Sequence, residues 1–442
     1  YGKLSNGMRD ALQQNAKPIG EAAIRFWVYA GRRNEADDAL GVAHFLEHMA
    51  FNGSENIAEG NLVKELERRG LSLGPDTNAS TGYSRTSYEL DLPSVDADTV
   101  DFALFFMREV ADRLTIEDAA VERERGGILA EEARKNTPRF HARQARTELL
   151  YPHALSTTRN DRKSEAQIKA TTPEQLRAFY KAHYRPERTL LVIVGDLDMQ
   201  VIQSKIEASF SDWENTAPVP SDPDDGYLER LGLGASIFNH EELRTSLSLY
   251  DSFAPEPFRD SVAQRLRRQR EGMAISIVNR RASKRINEGG ASQTLARISR
   301  SSNSIGKFLS ASIRPSATEN WSEALSDTVL EIRTALAFGF QEQELEDLVS
   351  AYRYRLEQRV KSAETQTSRG IADSIVRAFE SGTVRTTAAE SLRLFEQHVA
   401  TLTAADLHAV FKENWTDFQP FIWAEGPDWA GITSDDLVAT YN

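Results

Sequence analysis

His44, Glu47 and His48 stand in the stretch GVAHFLEHMAFNG (41–53), two imidazoles and a carboxylate in H-x-x-E-H order. On an α-helix, positions i and i+4 lie one above the other, with i+3 beside them. Both rings can then reach one cation, and the carboxylate can contact a water held there. The rest of the stretch is Val42, Phe45, Leu46, Met49 and Phe51, so this face is expected to be buried. Burying such groups unpaired would cost several kcal/mol, and a shared metal ion removes that cost. Zinc is the expected ion, because imidazole and carboxylate ligands suit it. A catalytic zinc typically takes three protein ligands and keeps one position for water. A single buried histidine is ordinarily a hydrogen-bonded core residue; two in this order on one helix are a metal signature.

A third ligand has to come from elsewhere. TIEDAAVERERGGILAEEARKN (115–136) reads as a long helix, and Glu117, Glu124 and Glu131 recur on it every seven residues, on one face. Spacing alone does not choose among the three. Around these helices the chain reads β then α. EAAIRFWVYAGRRNE (21–35) is a predicted strand, 41–53 a helix stopping at Gly53, and 58–71 an amphipathic helix. SRTSYELDLP (84–93) alternates like a strand, 96–114 is helical, and TLLVIVGDL (189–197) is a buried strand.

Between 214 and 227 three prolines and a glycine sit among acidic residues, which is linker chemistry. A second block follows, with strands at SLSLYDSF (246–253), KFLSASIRP (307–315) and FQPFIWAEG (418–426), and a long basic helix at 258–288. TPEQLRAFYKAHY (172–184) and TAADLHAVFKENW (403–415) share T-x-x-x-L-x-A-x-[YF]-K-x-x-[YW] at a period of 231 residues, and an apolar strand follows each. The expected fold class is therefore α+β. It consists of two homologous domains, 1–215 and 228–442, each a mostly antiparallel sheet packed with several helices. One period after His44, Glu47 and His48 stand Ile275, Val278 and Asn279, so the chemistry is expected in the first copy only.

Composition narrows the function. The chain has 442 residues and a net charge of −13, which speaks against nucleic acid or an anionic membrane as partner. It has no cysteine, so disulfides, thiolate catalysis and cysteine-ligated metal are excluded. No apolar run is long enough for a membrane span. The chain starts at Tyr1, which fits a processed or trimmed form, and leaves the compartment open between periplasmic or secreted and cytoplasmic.

GVAHFLEHMAFNGS, NAST at 78–81, AVERERGGILAEE at 120–132 and YRPERTLLVIVGD together resemble the inverted zinc metallopeptidases, the pitrilysin, insulin-degrading enzyme and mitochondrial processing peptidase family. The likeness is to the N-terminal half of bacterial tandem zinc proteases. It implies Zn2+ held by His44, His48 and Glu124, with Glu47 as general base and Glu117 supporting the site. It implies that Asn78 and Ala79 hold an extended peptide substrate. It implies a zinc endopeptidase acting on short or unfolded peptides in a chamber completed by a second similar unit, whether a homodimer partner, a related chain or a missing C-terminal half. In the family that second unit lends a tyrosine and an arginine. Tyr352 with Arg353, or Tyr354 with Arg355, are nominally available here, although a surface helix accounts for them as well. A non-catalytic docking subunit of the same fold is the alternative, but such chains typically lose the H-x-x-E-H set that this one keeps.

Overall fold

The computed structural model describes residues 1–256, 259–289 and 292–442. The chain forms two compact units, and neither is one continuous stretch. The first comprises 1–136, 158–224 and 364–385; the second comprises 137–157, 225–363 and 386–442. The two contiguous domains expected from the sequence thus each exchange a segment. Between 137 and 157 the chain belongs to the second unit, and between 364 and 385 to the first.

In the first unit the elements run β1 (Gly2–Lys3), β2 (Arg9–Gln14), β3 (Ala22–Val28), α1 (Val42–Met49), α2 (Leu62–Glu67), β4 (Thr77–Thr81), β5 (Thr86–Leu92), α3 (Ala97–Asp112) and α4 (Asp118–Arg134). After α5 (Pro138–Leu150) and α6 (Leu155–Thr158), which lie in the second unit up to Thr157, come α7 (Glu165–Ala170), α8 (Pro173–His183), β6 (Thr189–Gly195) and α9 (Met199–Phe210). The sheet order is β1-β2-β6-β3-β5-β4, and only β2 and β6 pair in parallel. AAIRFWV and TLLVIVG are apolar almost throughout because β3 and β6 are central strands covered on both faces. Phe26, Ile24 and Ile193 face the main core, whereas Trp27, Val192 and Val194 pack against a helix at 368–380. Arg25 is the polar exception within β3. Its guanidinium is buried but reaches Asp91 and Asp373, each at 2.9 Å, so the charge is compensated.

The second unit holds β7 (Gly234–Asn239), β8 (Ser246–Phe253), α10 (Val262–Asn287), β9 (Gln293–Ser302), β10 (Lys307–Pro315), α11 (Trp321–Phe338) and α12 (Glu342–Ser362). Next come α13 (Ser368–Glu380), which packs in the first unit, and α14 (Ala388–Val399), α15 (Ala404–Trp415), β11 (Phe421–Gly426) and α16 (Ser434–Tyr441). The first residues of the helix expected at 258–288 include Phe258, which lies outside the described residues. The sheet order is β7-β11-β8-β10-β9, again with one parallel pair, β7 with β11. This is the order β2-β6-β3-β5-β4 repeated strand for strand and direction for direction. The helices α8 and α15 even begin alike, each with a threonine capping box, at Thr172 and Thr403.

The offset between the copies is not constant. It is 231 residues between α8 and α15, but α3 and α4 begin at 97 and 118 where α11 and α12 begin at 321 and 342, an offset of 224. At that offset HFLEHMA (44–50) falls on RQREGMA (268–274). The counterparts of His44, Glu47 and His48 are then Arg268, Glu271 and Gly272, rather than Ile275, Val278 and Asn279. A single sequence match at the end of each copy could not reveal the insertions between them.

Candidate metal centre

α1 is only eight residues long and ends at Met49, short of the expected Gly53. Its neighbours hold it. It starts at Gly41, whose φ of 102° favours glycine, and Glu35 replaces the missing cap by accepting a hydrogen bond from the Ala43 amide at 3.2 Å. Glu35 is itself buried against Lys163 at 3.3 Å, and burial pushes that lysine's pKa down. At the other end the Asn52 side chain donates to the His48 carbonyl at 2.9 Å. The helix packs against β4, α4 and α8, with Phe45, Leu46 and Met49 buried in the core.

Three donor atoms converge beside it. The Nε2 atoms of His44 and His48 lie 3.2 Å apart. The Glu131 carboxylate places Oε1 3.4 Å from His44 Nε2 and Oε2 3.3 Å from His48 Nε2. Zinc with bonds of about 2.0–2.1 Å spaces two tetrahedral ligands about 3.3 Å apart. Each Glu131 oxygen faces a different ring nitrogen; one ligand atom from each of the three residues lies within 4.8 Å of the other two, close enough to share one cation, and the nitrogen and oxygen donor set suits zinc. Among the described residues His44, His48 and Glu131 are the one group of this kind close enough to share a cation.

This geometry reassigns two glutamates. Glu124, expected as third ligand, instead meets the far side of His48, with Oε1 2.8 Å from Nδ1, while its Oε2 accepts from Asn52 at 3.0 Å. A carboxylate on Nδ1 fixes the ring so that Nε2 points at the shared locus. Glu117, expected to give that support, is exposed at the N-cap of α4 and makes no side-chain capping bond. The seven-residue interval recurs one heptad further along α4 than expected, between Glu124 at His48 Nδ1 and Glu131 at the two Nε2 atoms. The sequence showed the heptad but not its phase relative to α1.

The remaining carboxylate is Glu47, almost fully buried one turn along α1. Its Oε2 accepts a hydrogen bond from Thr81 Oγ1 at 2.6 Å. Thr81 ends β4, at the hairpin that pairs it with Thr86. It was not singled out in the sequence, although it is the last residue of NAST. Asn78 is exposed on β4, and Ala79 packs on the core from the same strand. β4 is an edge strand, so its outer backbone groups are not used by the sheet.

The charges reinforce one another. Burial works against a charged His48 imidazole, but the hydrogen bond to Glu124 and the carboxylates of Glu47 and Glu131 leave its pKa above the ordinary histidine value. The bond to His48 holds Glu124 below the usual carboxylate range. The bond to His44, with a further one from Lys135, pulls Glu131 well below it. Four carboxylates, those of Glu47, Glu124, Glu131 and Glu132, stand around the two imidazoles, a setting that attracts a cation.

The candidate tyrosine and arginine of α12 are otherwise engaged in part. Arg353 pairs with Glu396 at 2.6 Å, and Tyr352 stacks on Phe395. Tyr354 and Arg355 are exposed.

Residues 11–166 match the family described as Insulinase (Peptidase family M16), and residues 170–261 match the Peptidase M16 inactive domain. The chain is 29% identical over 356 residues to the probable zinc protease PqqL of Escherichia coli, covering 79% of this chain and 38% of that protein. The crystal structure of the periplasmic protease PqqL from Escherichia coli superposes with a TM-score of 0.91 at 22% identity, over 100% of this chain and 49% of that one. The first half of the same protease, solved alone, gives 0.90 at 22% identity, over 100% of this chain and 95% of that one. The chain thus spans half or less of the length of the full-length PqqL proteins it matches.

Proposed function

Because the chain belongs to the insulinase family, peptidase family M16, we propose that it is the zinc-bearing half of a metalloendopeptidase that hydrolyses short or unfolded peptides bound in extended form. The observation that carries this is the convergence of His44 Nε2, His48 Nε2 and the Glu131 carboxylate next to a buried, oriented Glu47. His44, His48 and Glu131 would hold the ion, and Glu124 would orient His48. When bound, zinc supplies a Lewis acid that polarises the scissile carbonyl and makes water acidic enough to deprotonate near neutral pH.

The chain's own groups do the rest. Thr81 occupies Glu47 Oε2, which leaves Oε1 to take the proton of the attacking water. The same oxygen then hands that proton to the leaving amine nitrogen. The free edge of β4 accepts the substrate backbone as an added strand, and the Asn78 amide lies alongside to hold it. Main-chain bonding of this kind sets few demands on sequence, which fits a broad peptide specificity.

The chain's coverage of PqqL, 38% of the protein and 49% of the solved structure, supports a second homologous unit as partner, either a further part of the same polypeptide or a separate chain. The periplasmic setting of PqqL supports the same compartment here. A docking subunit would need neither the ligand set nor an oriented base. The test is cleavage of an internally quenched peptide with zinc content measured in parallel. We expect zinc-dependent turnover that chelation abolishes and zinc restores. Turnover that is indifferent to chelation would overturn the reading.

A further inference from the structure

Thr81 fixes Glu47 only as well as its own backbone is fixed, and the sheet does not fix it. At the two ends of the β4–β5 pairing the Gly82 amide donates to the Arg85 carbonyl and the Asp91 amide to the Asp76 carbonyl, each at 2.8 Å. On an antiparallel ladder such bonded pairs alternate with pairs whose backbone groups point away from the partner. Thr77, Ala79 and Thr81 are therefore the outward-pointing residues of β4. β4 is an edge strand, so no neighbouring strand meets them. Thr77 is tied down by the turn before it: its amide donates to the Ser72 carbonyl at 3.1 Å, and its carbonyl accepts from the Gly74 amide at 2.9 Å. Thr81 is the last residue of the strand and needs an anchor of its own.

Arg32 supplies that anchor. Its Nη1 donates to the Thr81 carbonyl at 2.8 Å, and its backbone amide donates to the Gly82 carbonyl at 3.1 Å. The next amide, that of Arg33, donates to the Tyr83 carbonyl at 2.8 Å. The 3-10 turn Arg32–Asn34 thus lies along the tip of the hairpin. The fit is close: a Cβ at Gly31 would fall 2.5 Å from the Arg85 nitrogen and 2.6 Å from the Gly82 carbonyl oxygen. The same turn leads into Glu35, which caps α1 through the Ala43 amide. One short segment therefore joins the strand end that carries Thr81 to the helix that carries Glu47. Among the described residues the half-buried Arg32 guanidinium forms no ion pair, and its remaining bond, from Nε to the Arg159 carbonyl, is long at 3.4 Å. Burial, with Arg85 nearby, outweighs the carboxylates of Asp161, Glu35 and Glu132 and holds its pKa below the ordinary arginine value. A guanidinium drawn out of water needs compensation, and here a carbonyl of β4 provides it.

We infer that Arg32 is a positioning residue for the general base. Arg32 holds the Thr81 carbonyl, Thr81 holds Glu47 Oε2, and Oε1 is left aimed at the attacking water. This role rests on the peptidase reading; the hydrogen bonds that make the clamp do not. Arg32 bonds to neither backbone group of Ala79, so it acts on turnover and leaves the binding of an added strand alone.

The test uses the full chain with zinc and an internally quenched peptide. Arg32→Met keeps the aliphatic stem and deletes the donors; Arg32→Lys keeps the charge and a donor. Arg32→Met should lower kcat about three- to tenfold, with KM changed less than about twofold, and Arg32→Lys should recover most of the loss. A double-mutant cycle with Thr81→Val then separates positioning from general damage. Because Arg32 acts through Thr81, Arg32→Met should cost less than about twofold more in that background. Losses that multiply, a loss carried by KM, an unaltered kcat in Arg32→Met, or a lysine variant no better than the methionine one would each overturn the proposal. Hydrogen exchange read by mass spectrometry follows the clamp without any turnover. Residues 80–85 should exchange faster in Arg32→Met than in the unaltered chain while β3 stays protected, and unchanged exchange there would also overturn it. Absence of zinc-dependent cleavage by the unaltered chain would sink the peptidase reading and the catalytic role with it, while the exchange rates judge the clamp separately.

Discussion

Replacing Glu131, Glu124 and Glu117 one at a time by glutamine discriminates between three phases of one heptad. The substitution keeps size and removes charge. Glu131 offers both carboxylate oxygens to the two Nε2 atoms, at 3.4 and 3.3 Å. Without it the locus retains two neutral nitrogen donors and no anion. Glu124 touches only the Nδ1 side of His48, so its loss frees the ring to rotate but removes no ligand. Loss of an outer partner of this kind typically weakens metal binding about 10–100-fold. Loss of the carboxylate ligand must cost more than that, and Glu117, exposed at the N-cap of α4, should cost nothing measurable. The assay is zinc retention against a competing chelator, with bound zinc measured by elemental analysis and folding checked by circular dichroism. The expected order of affinity is Glu117→Gln equal to the unaltered chain, then Glu124→Gln, then Glu131→Gln. Zinc retained by Glu131→Gln but lost by Glu124→Gln would refute the reasoning.

Glu47→Gln should keep zinc at the unaltered level and lose peptide cleavage; cleavage at an undiminished rate would remove the general base from the mechanism. Thr81→Val deletes a hydrogen bond to a charged carboxylate, worth about 1.5–3 kcal/mol, so kcat should fall roughly tenfold or more with KM little changed. Thr81→Ser should restore most of it, and a uniform loss in both variants would point to packing instead. His183 is buried beside Phe179, and burial, with Arg188 and Arg185 nearby, lowers its pKa to about 4. The fold therefore excludes the proton that the unfolded chain takes up near pH 6.5. This contribution is complete above pH 6.5 and is lost as pH falls from 6.5 to about 4, amounting to about 3 kcal/mol. Urea denaturation at pH 7 and pH 4.5 should show that loss, and His183→Phe should reduce it; an unchanged pH slope would contradict the assignment.

Some of the molecule could be read directly because the signal was local. Central strands covered on both faces, such as TLLVIVG, are apolar without interruption, and only burial produces such a run in seven residues. Helix α3 was bounded within two residues because Asp96 caps it by accepting from the Thr99 amide. α2 was overestimated: 58–71 has an amphipathic pattern, but only Leu62–Glu67 is helical, and Gly60 and Gly70 with positive φ bracket it. The exchange of α5 and α13 between the units left no trace in sequence order. Each helix has a buried face, and its composition cannot say which sheet covers that face.

The amino-acid sequence by itself determined the two imidazoles and the carboxylate on α1, because a four-residue interval has only one outcome on a helix. It also put the H-x-x-E-H set in one copy of a duplicated fold. The tertiary structure alone decided which glutamate of α4 meets the imidazoles. A heptad repeats every two turns, and the choice among its members depends on how far one helix is slid along another, which packing sets. It also decided that Thr81 holds Glu47. Those contacts join residues far apart along the chain, and nothing short of the folded arrangement brings them together.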